Sequence, residues 1–116
     1  MTKPVLMKAL AAAAFALCAG RAGFYPTAGI HPHDAAESTA EARAAIRALC
    51  ASQECVAVGE TGLDWFRNLA PRAEQMENFA WHAALARELS KPLIVHCRDA
   101  HEDTVAVLRD HRGVRG

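Results

Sequence analysis

Neither sign of charge predominates in this sequence: 13 Lys and Arg stand against 13 Asp and Glu over 116 residues. That balance argues against a broad basic surface for nucleic acid. It leaves room for local phosphate binding, because a bound metal ion supplies positive charge of its own. No Cys-x-x-Cys pair occurs among Cys18, Cys50, Cys55 and Cys97. No second ligand pair follows Cys50 and Cys55 at a useful spacing, which argues against a structural zinc site. These cysteines are expected to be small buried hydrophobes in a reducing compartment. Nor is there an apolar run long enough to span a bilayer; the segment from Ala9 to Ala19 is too short. Lys3 and Lys8 precede it and lend it some signal-peptide character, but no clean small-x-small cleavage site separates it from the next strand. It is read as an alanine-rich helix, and the chain is expected in the cytoplasm, away from membranes. No internal repeat and no low-complexity linker divides the sequence, so residues 1–116 are treated as one unit.

What is present is an apolar chain, 52% hydrophobic, in which helices and short strands alternate. Leu6 to Cys18 is predicted helical from its Ala and Leu content, and Gly20 and Gly23 break it. Phe24 to Ile30 is predicted as a strand, with Pro26 interrupting its start, and His31 to Glu37 as a polar loop. Ser38-Thr-Ala-Glu41 reads as a capping box that opens a helix to about Ala51. Cys55 to Gly59 has no polar alternation and is predicted as a strand buried on both faces, followed by a loop from Glu60 to Ala70. Pro71 suits the first position of a helix to about Leu89, with Phe79, His82, Leu85, Ala86 and Leu89 on one arc. Within it His82 is expected to be a satisfied core histidine, and Trp81, on the other side, a partly covered surface aromatic. Leu93 to His96 is the next strand, and Asp99-Ala-His-Glu102 a second capping box, opening a helix to about Asp110. Strands alternating with helices imply a parallel sheet. Three strands with four helices in 116 residues fit an arc of an α/β barrel of the TIM type, whose full circle takes about 250 residues.

Two apolar runs end on metal-ligand side chains. Val56-Ala-Val-Gly59 leads to Glu60, and Leu93-Ile-Val95 leads to His96. A strand that delivers a ligand at its carboxyl end is how such barrels build active sites. Glu60, between Gly59 and Gly62, is the strongest candidate: a carboxylate binds one metal ion or bridges two, and two-metal hydrolases use such a pair to activate water and clamp a phosphodiester. Read alone, it is equally a strand-end glutamate paired with an arginine. His96 is the second candidate, since imidazole is a common ligand for divalent metals. His31 and His33 flank Pro32 in a His-x-His spacing, which suits either metal or a hydrogen bond to phosphate. Arg67 and Arg98 follow the two candidate ligands and suit bidentate phosphate recognition. Asp64 and Asp99 can instead pair with them, and capping alone accounts for Asp99. His101 is expected on the surface, and His111, in a basic tail, to have no special role.

Four stretches taken together resemble the TatD family of metal-dependent hydrolases: Gly29-Ile-His-Pro-His-Asp-Ala35, Ala57-Val-Gly-Glu-Thr-Gly-Leu-Asp64, Gln75 with Phe79, and Lys91-Pro-Leu-Ile-Val-His-Cys-Arg-Asp-Ala100. Their order and spacing match as well, over residues 23–110, with residues 1–22 as the alanine-rich helix before them. The resemblance implies a TIM-like barrel, a site for divalent metals (magnesium, manganese or zinc, two in the complete family site), and deoxyribonuclease activity on DNA or another phosphodiester. It implies Glu60 as the metal-bridging carboxylate and catalytic residue, His96 as a ligand of one metal, and His31 as a substrate or phosphate contact. The family's opening Asp-x-His-x-His stretch, its later strand ending on histidine and its later aspartate have no counterparts between Met1 and Gly116. The expectation is an incomplete ligand set that binds metal weakly on its own.

Three functions are therefore weighed. The first is a metal-dependent phosphodiesterase whose remaining strands come from elsewhere, another chain included. The second is a catalytically inactive domain that acts as a binding or interaction module through open sheet edges. The third is an amidohydrolase-type enzyme acting on a small ester or amide.

Overall fold

The computed structural model describes residues 13–116. Residues 13–18 are helical, in line with the expected alanine-rich helix, whose earlier part lies outside the described residues. Three parallel strands follow in the order β1 (Thr27–Ala28), β2 (Ala57–Asp64), β3 (Leu93–Arg98). Three α-helices join and follow them: α1 (Ala40–Ala51), α2 (Arg72–Leu89) and α3 (His101–Asp110). The result is the expected arc of an α/β barrel. Its core lies between sheet and helices, where Ile30, Val58, Leu63, Phe79, Leu85 and Leu93 are all but fully buried.

Several elements differ from their expected bounds. β1 is two residues long, not seven. Pro26 has no N–H to give to a ladder, and beyond Ala28 the chain turns into a 3-10 helix, Pro32–Glu37, where a polar loop was expected. Pro32 stands in its first turn, where a missing N–H costs nothing, and His31 caps it by accepting the His33 N–H on Nδ1 at 3.1 Å. The cap of α1 is Thr39, not Ser38: Thr39 Oγ1 accepts from Ala42 N at 3.1 Å, and Ser38 Oγ instead accepts from Arg43 Nε at 2.9 Å. Pro71 is the cap residue of α2, one position before its expected place. Asp99 caps nothing; it adopts φ 53, and Ala100 is the cap residue of α3 with no side-chain bond.

The largest difference is in β2. It runs on to Asp64, so half of the expected loop is strand. The register passes from Val58↔Leu93 to Thr61↔Val95, which inserts one extra residue on β2. Such a bulge redirects one side chain while pairing resumes beyond it. Glu60 is the residue so redirected, and it is the one exposed position of the strand. β3 likewise runs two residues past His96, to Arg98.

The buried face of α2 carries polar residues at helical spacing, Gln75, Asn78 and His82, and each holds backbone. Gln75 Oε1 accepts from Asp64 N at 2.8 Å, and Asn78 Nδ2 donates to Ile30 O at 2.9 Å. Ile30 N donates to His82 Nε2 at 3.0 Å. The His82 proton therefore resides on Nδ1, which donates to Asn78 O at 2.8 Å. His82 is the satisfied core histidine expected of it. These bonds replace a strand partner for the chain just after β1 and fix it directly before His31.

Burial drives the His82 pKa down to about 4, with the Asn78 carbonyl opposing and Arg43 adding to the shift. The unfolded chain takes up this proton near pH 6.5, the folded chain only near pH 4, so stability falls as pH drops through that window. The loss expected is about 3 kcal/mol, at 1.36 kcal/mol per unit. Urea unfolding at stepped pH measures it, and His82→Gln, which can still accept and donate, is expected to flatten the curve between pH 6.5 and 4.

Candidate metal and phosphate site

At the end of the sheet where β2 and β3 finish, His31, His33, His96, Glu60 and Asp64 come together. The ring centroids of His31 and His33 are 4.3 Å apart, and those of His31 and His96 4.6 Å. One nitrogen from each of His31, His33 and His96 lies within 4.8 Å of the others, a spacing that can hold a metal ion. Glu60 stands over them, with Oε1 3.6 Å from His31 Nε2 and Oε2 3.5 Å from His96 Nδ1. Its side chain is 49% exposed.

Asp64 is the hub. It is almost fully buried, and its Oδ2 lies 3.0 Å from both His33 Nε2 and His96 Nε2. Its Oδ1 accepts from the backbone N–H of Phe66 at 3.1 Å and of Arg67 at 2.7 Å. Burial alone pushes the Asp64 pKa up. The Arg67 N–H and the rings of His33 and His96 outweigh burial and hold the carboxyl well below the usual carboxylate range. An ionised Asp64 accepts only, so each of these rings donates to it from Nε2, and the neutral ring then keeps its lone pair on Nδ1. His31 Nδ1 is engaged by the His33 N–H, which leaves its Nε2. Burial, then the neighbouring His33 and His96, lower the His31 pKa, while Glu60 and Asp34 oppose the shift.

Each of the three imidazoles thus has one nitrogen engaged, His33 and His96 by Asp64 and His31 by the His33 N–H, with two carboxylates alongside. A carboxylate behind a ligating histidine fixes its tautomer and raises its basicity. Nitrogen and oxygen donors in this mixture suit divalent metals of the zinc and manganese kind. The residues present fit such an ion.

Glu60 and His96 are therefore together, as their sequence contexts suggested, but neither ends its strand. Both are set back from the end, Glu60 on the bulge and His96 two residues before Arg98. Arg67 is exposed and touches Asp64 through its backbone. Arg98 is exposed too, with its guanidinium carbon 4.3 Å from the Phe66 ring centroid. Asp64 pairs with histidines rather than with an arginine side chain. Its role went unseen in the sequence, where a carboxylate three residues before an arginine reads as that arginine's partner. The available signal was its place two residues beyond Gly62, directly after the apolar Leu63.

The family model described as TatD related DNase matches residues 5–116. The protein of Cronobacter turicensis named 3'-5' ssDNA/RNA exonuclease TatD is 47% identical over 87 residues, which are 75% of this chain and 33% of that protein. A protein of the same name from Enterobacter lignolyticus is 44% identical over 95 residues, 82% of this chain and 36% of that one. Among solved structures, YJJV, a TatD homolog from Escherichia coli, superposes with a TM-score of 0.79 at 25% identity, covering 86% of this chain and 39% of that one. The chain thus spans about a third of the length of the curated relatives it matches. Among the described residues no helix is long and apolar enough to cross a membrane.

Proposed function

Since the chain belongs to the TatD-related DNase family, we propose that it carries part of the active site of a metal-dependent hydrolase of phosphodiester bonds, acting on single-stranded nucleic acid. The observation that carries this reading is the convergence of His31, His33 and His96 nitrogens beside Glu60. In the proposal Glu60 and His96 hold the metal, and His31 and His33 present their remaining nitrogens to it or to a phosphate oxygen. A divalent ion there supplies Lewis acidity and a bound water of lowered pKa. Glu60, turned out on its bulge and open to solvent, is the group to accept a proton from an attacking water. Arg67 and Arg98, on the rim, take the phosphate oxygens; a planar guanidinium meets two of them at once. Asp64 stays ionised behind His33 and His96 and fixes the tautomer of their rings. A cytoplasmic location belongs to the same proposal and is supported by four free thiols, Cys18, Cys50, Cys55 and Cys97.

Metal binding is tested on the chain itself by calorimetric titration with manganese(II) and zinc(II). Hydrolysis of a labelled single-stranded oligonucleotide is tested on a protein that completes the chain to the length of its relatives. Glu60→Gln is expected to weaken metal binding at least about tenfold, since loss of a mere orienting partner already costs 10- to 100-fold. It should abolish hydrolysis while leaving the thermal midpoint nearly unchanged, because Glu60 is exposed. Titration heats identical in wild type and Glu60→Gln, or undiminished hydrolysis in EDTA, would remove the basis of the proposal.

A further inference from the structure

We infer that Phe66, backed by Arg98, is a stacking platform for one nucleobase of a single-stranded nucleic acid beside the metal and phosphate site; this rests on the nucleic-acid reading above. A lone exposed apolar residue is ordinary. Phe66 differs in how it is held. It is 58% exposed, yet its backbone N–H is anchored on Asp64 Oδ1, the carboxylate whose other oxygen orients His33 and His96. The loop around it is pinned on both sides. Trp65 N donates to Arg98 O at 2.9 Å, Trp65 Nε1 to Asp103 Oδ2 at 2.9 Å, and Asn68 Nδ2 to Trp65 O at 2.7 Å. Arg72 covers the Trp65 ring at 4.6 Å, and that ring is partly buried against the core. Phe66 has a guanidinium on its ring at 4.3 Å and remains largely open.

An aromatic ring with an arginine against it is how proteins grip single strands, since every base has a π-face and the backbone follows positive charge. The neighbouring charges set the path. Arg98 lies on the Phe66 ring and exposed Arg67 follows Phe66 in the chain, whereas Asp99, Glu102 and Asp103 line the recess beside Trp65 and repel a polyanion. A strand entering on the arginine side brings a phosphate to the histidines and the adjoining base to Phe66. Bases inside a duplex are already stacked and offer no free face, so the platform selects single strands.

The test is fluorescence anisotropy of a labelled oligothymidylate with the chain in EDTA, against an oligomer of abasic deoxyribose phosphates of equal length. Phe66→Ala is expected to weaken oligothymidylate binding about 5- to 150-fold, the range that one stacked base confers. It should leave abasic binding unchanged, and Phe66→Tyr should bind as wild type. Leu69→Ala, at a residue of the same loop that is 57% exposed, should have no effect. Equal oligothymidylate affinities for wild type and Phe66→Ala overturn the stacking platform and leave the hydrolase reading standing. Failure of wild type to bind either oligomer overturns both.

Discussion

Replacing Asp64 is expected to separate folding from metal binding according to what replaces it. Asp64→Ala removes the acceptor for two imidazole N–H groups and two backbone N–H groups at a nearly fully buried point. Leaving a buried donor without its acceptor costs about 1–3 kcal/mol, and four donors lose theirs here, a large part of the roughly 5–15 kcal/mol that a domain has to lose. Asp64→Ala should therefore be largely unfolded or strongly shifted in denaturant midpoint.

Asp64→Asn is the informative variant. Its carbonyl can still accept from Phe66 and Arg67, so the loop after β2 should hold. Its amide nitrogen now faces His33 Nε2 and His96 Nε2, where two acceptors are required in place of two donors. Each neutral ring then carries its proton on Nδ1 and has no lone pair there to give to a metal ion. The expected result is a folded protein whose manganese(II) or zinc(II) affinity is down about 10- to 100-fold, the usual cost of losing an orienting carboxylate. Nitrogen-15 NMR of the histidine rings reads the tautomer directly. The explanation fails if Asp64→Asn keeps Nε2–H tautomers at both rings, or binds metal as wild type does.

The layout of this site was legible in sequence only where chain chemistry acts locally. The apolar runs Val56 to Gly59 and Leu93 to Val95 identified two neighbouring parallel strands and, beside each, a ligand. Their true lengths were not legible. Glu60-Thr61-Gly62 reads as the end of an apolar run, yet the bulge between Val58 and Thr61 turns Glu60 outward while Thr61, Leu63 and Asp64 return to the interior. Whether a polar residue ends a strand or is turned out of it depends on the partner strand, which is remote in sequence. The same holds for Asp64, whose partners lie 31 and 32 residues away. The capping boxes show the opposite error. Ser38 and Asp99 satisfy the local pattern, but Thr39 wins the first position, and at the second Asp99 takes a left-handed conformation instead of capping. His82 was legible because a histidine within an apolar helical arc has to be satisfied inside; what it would hold, the backbone of Ile30, was not.

The second large effect is expected at Gly62, which lies opposite His96 in the β2–β3 ladder. A Cβ at Gly62 would stand 2.0 Å from His96 O and 2.9 Å from His96 C, and its φ of 138 is one that side-chain-bearing residues rarely adopt. The obstruction is backbone, so no rotamer relieves it. Gly62→Ala has to drive β3 off β2 at the metal-facing histidine or rotate the peptide out of the ladder. Strained backbone costs about 1–3 kcal/mol and overpacking about another 1–3 kcal/mol, so a loss of about 2–6 kcal/mol in urea unfolding is expected. Gly113→Ala isolates the steric part: that residue also has positive φ, 94, but nothing lies within 4 Å of its Cβ position. It should lose only the conformational share. If Gly62→Ala and Gly113→Ala cost the same, the close approach of the two strands at His96 is not what the glycine serves. If Gly62→Ala costs more and what remains folded has lost its metal heat, the glycine is there to let a strand carry His96 within reach of Glu60 and Asp64.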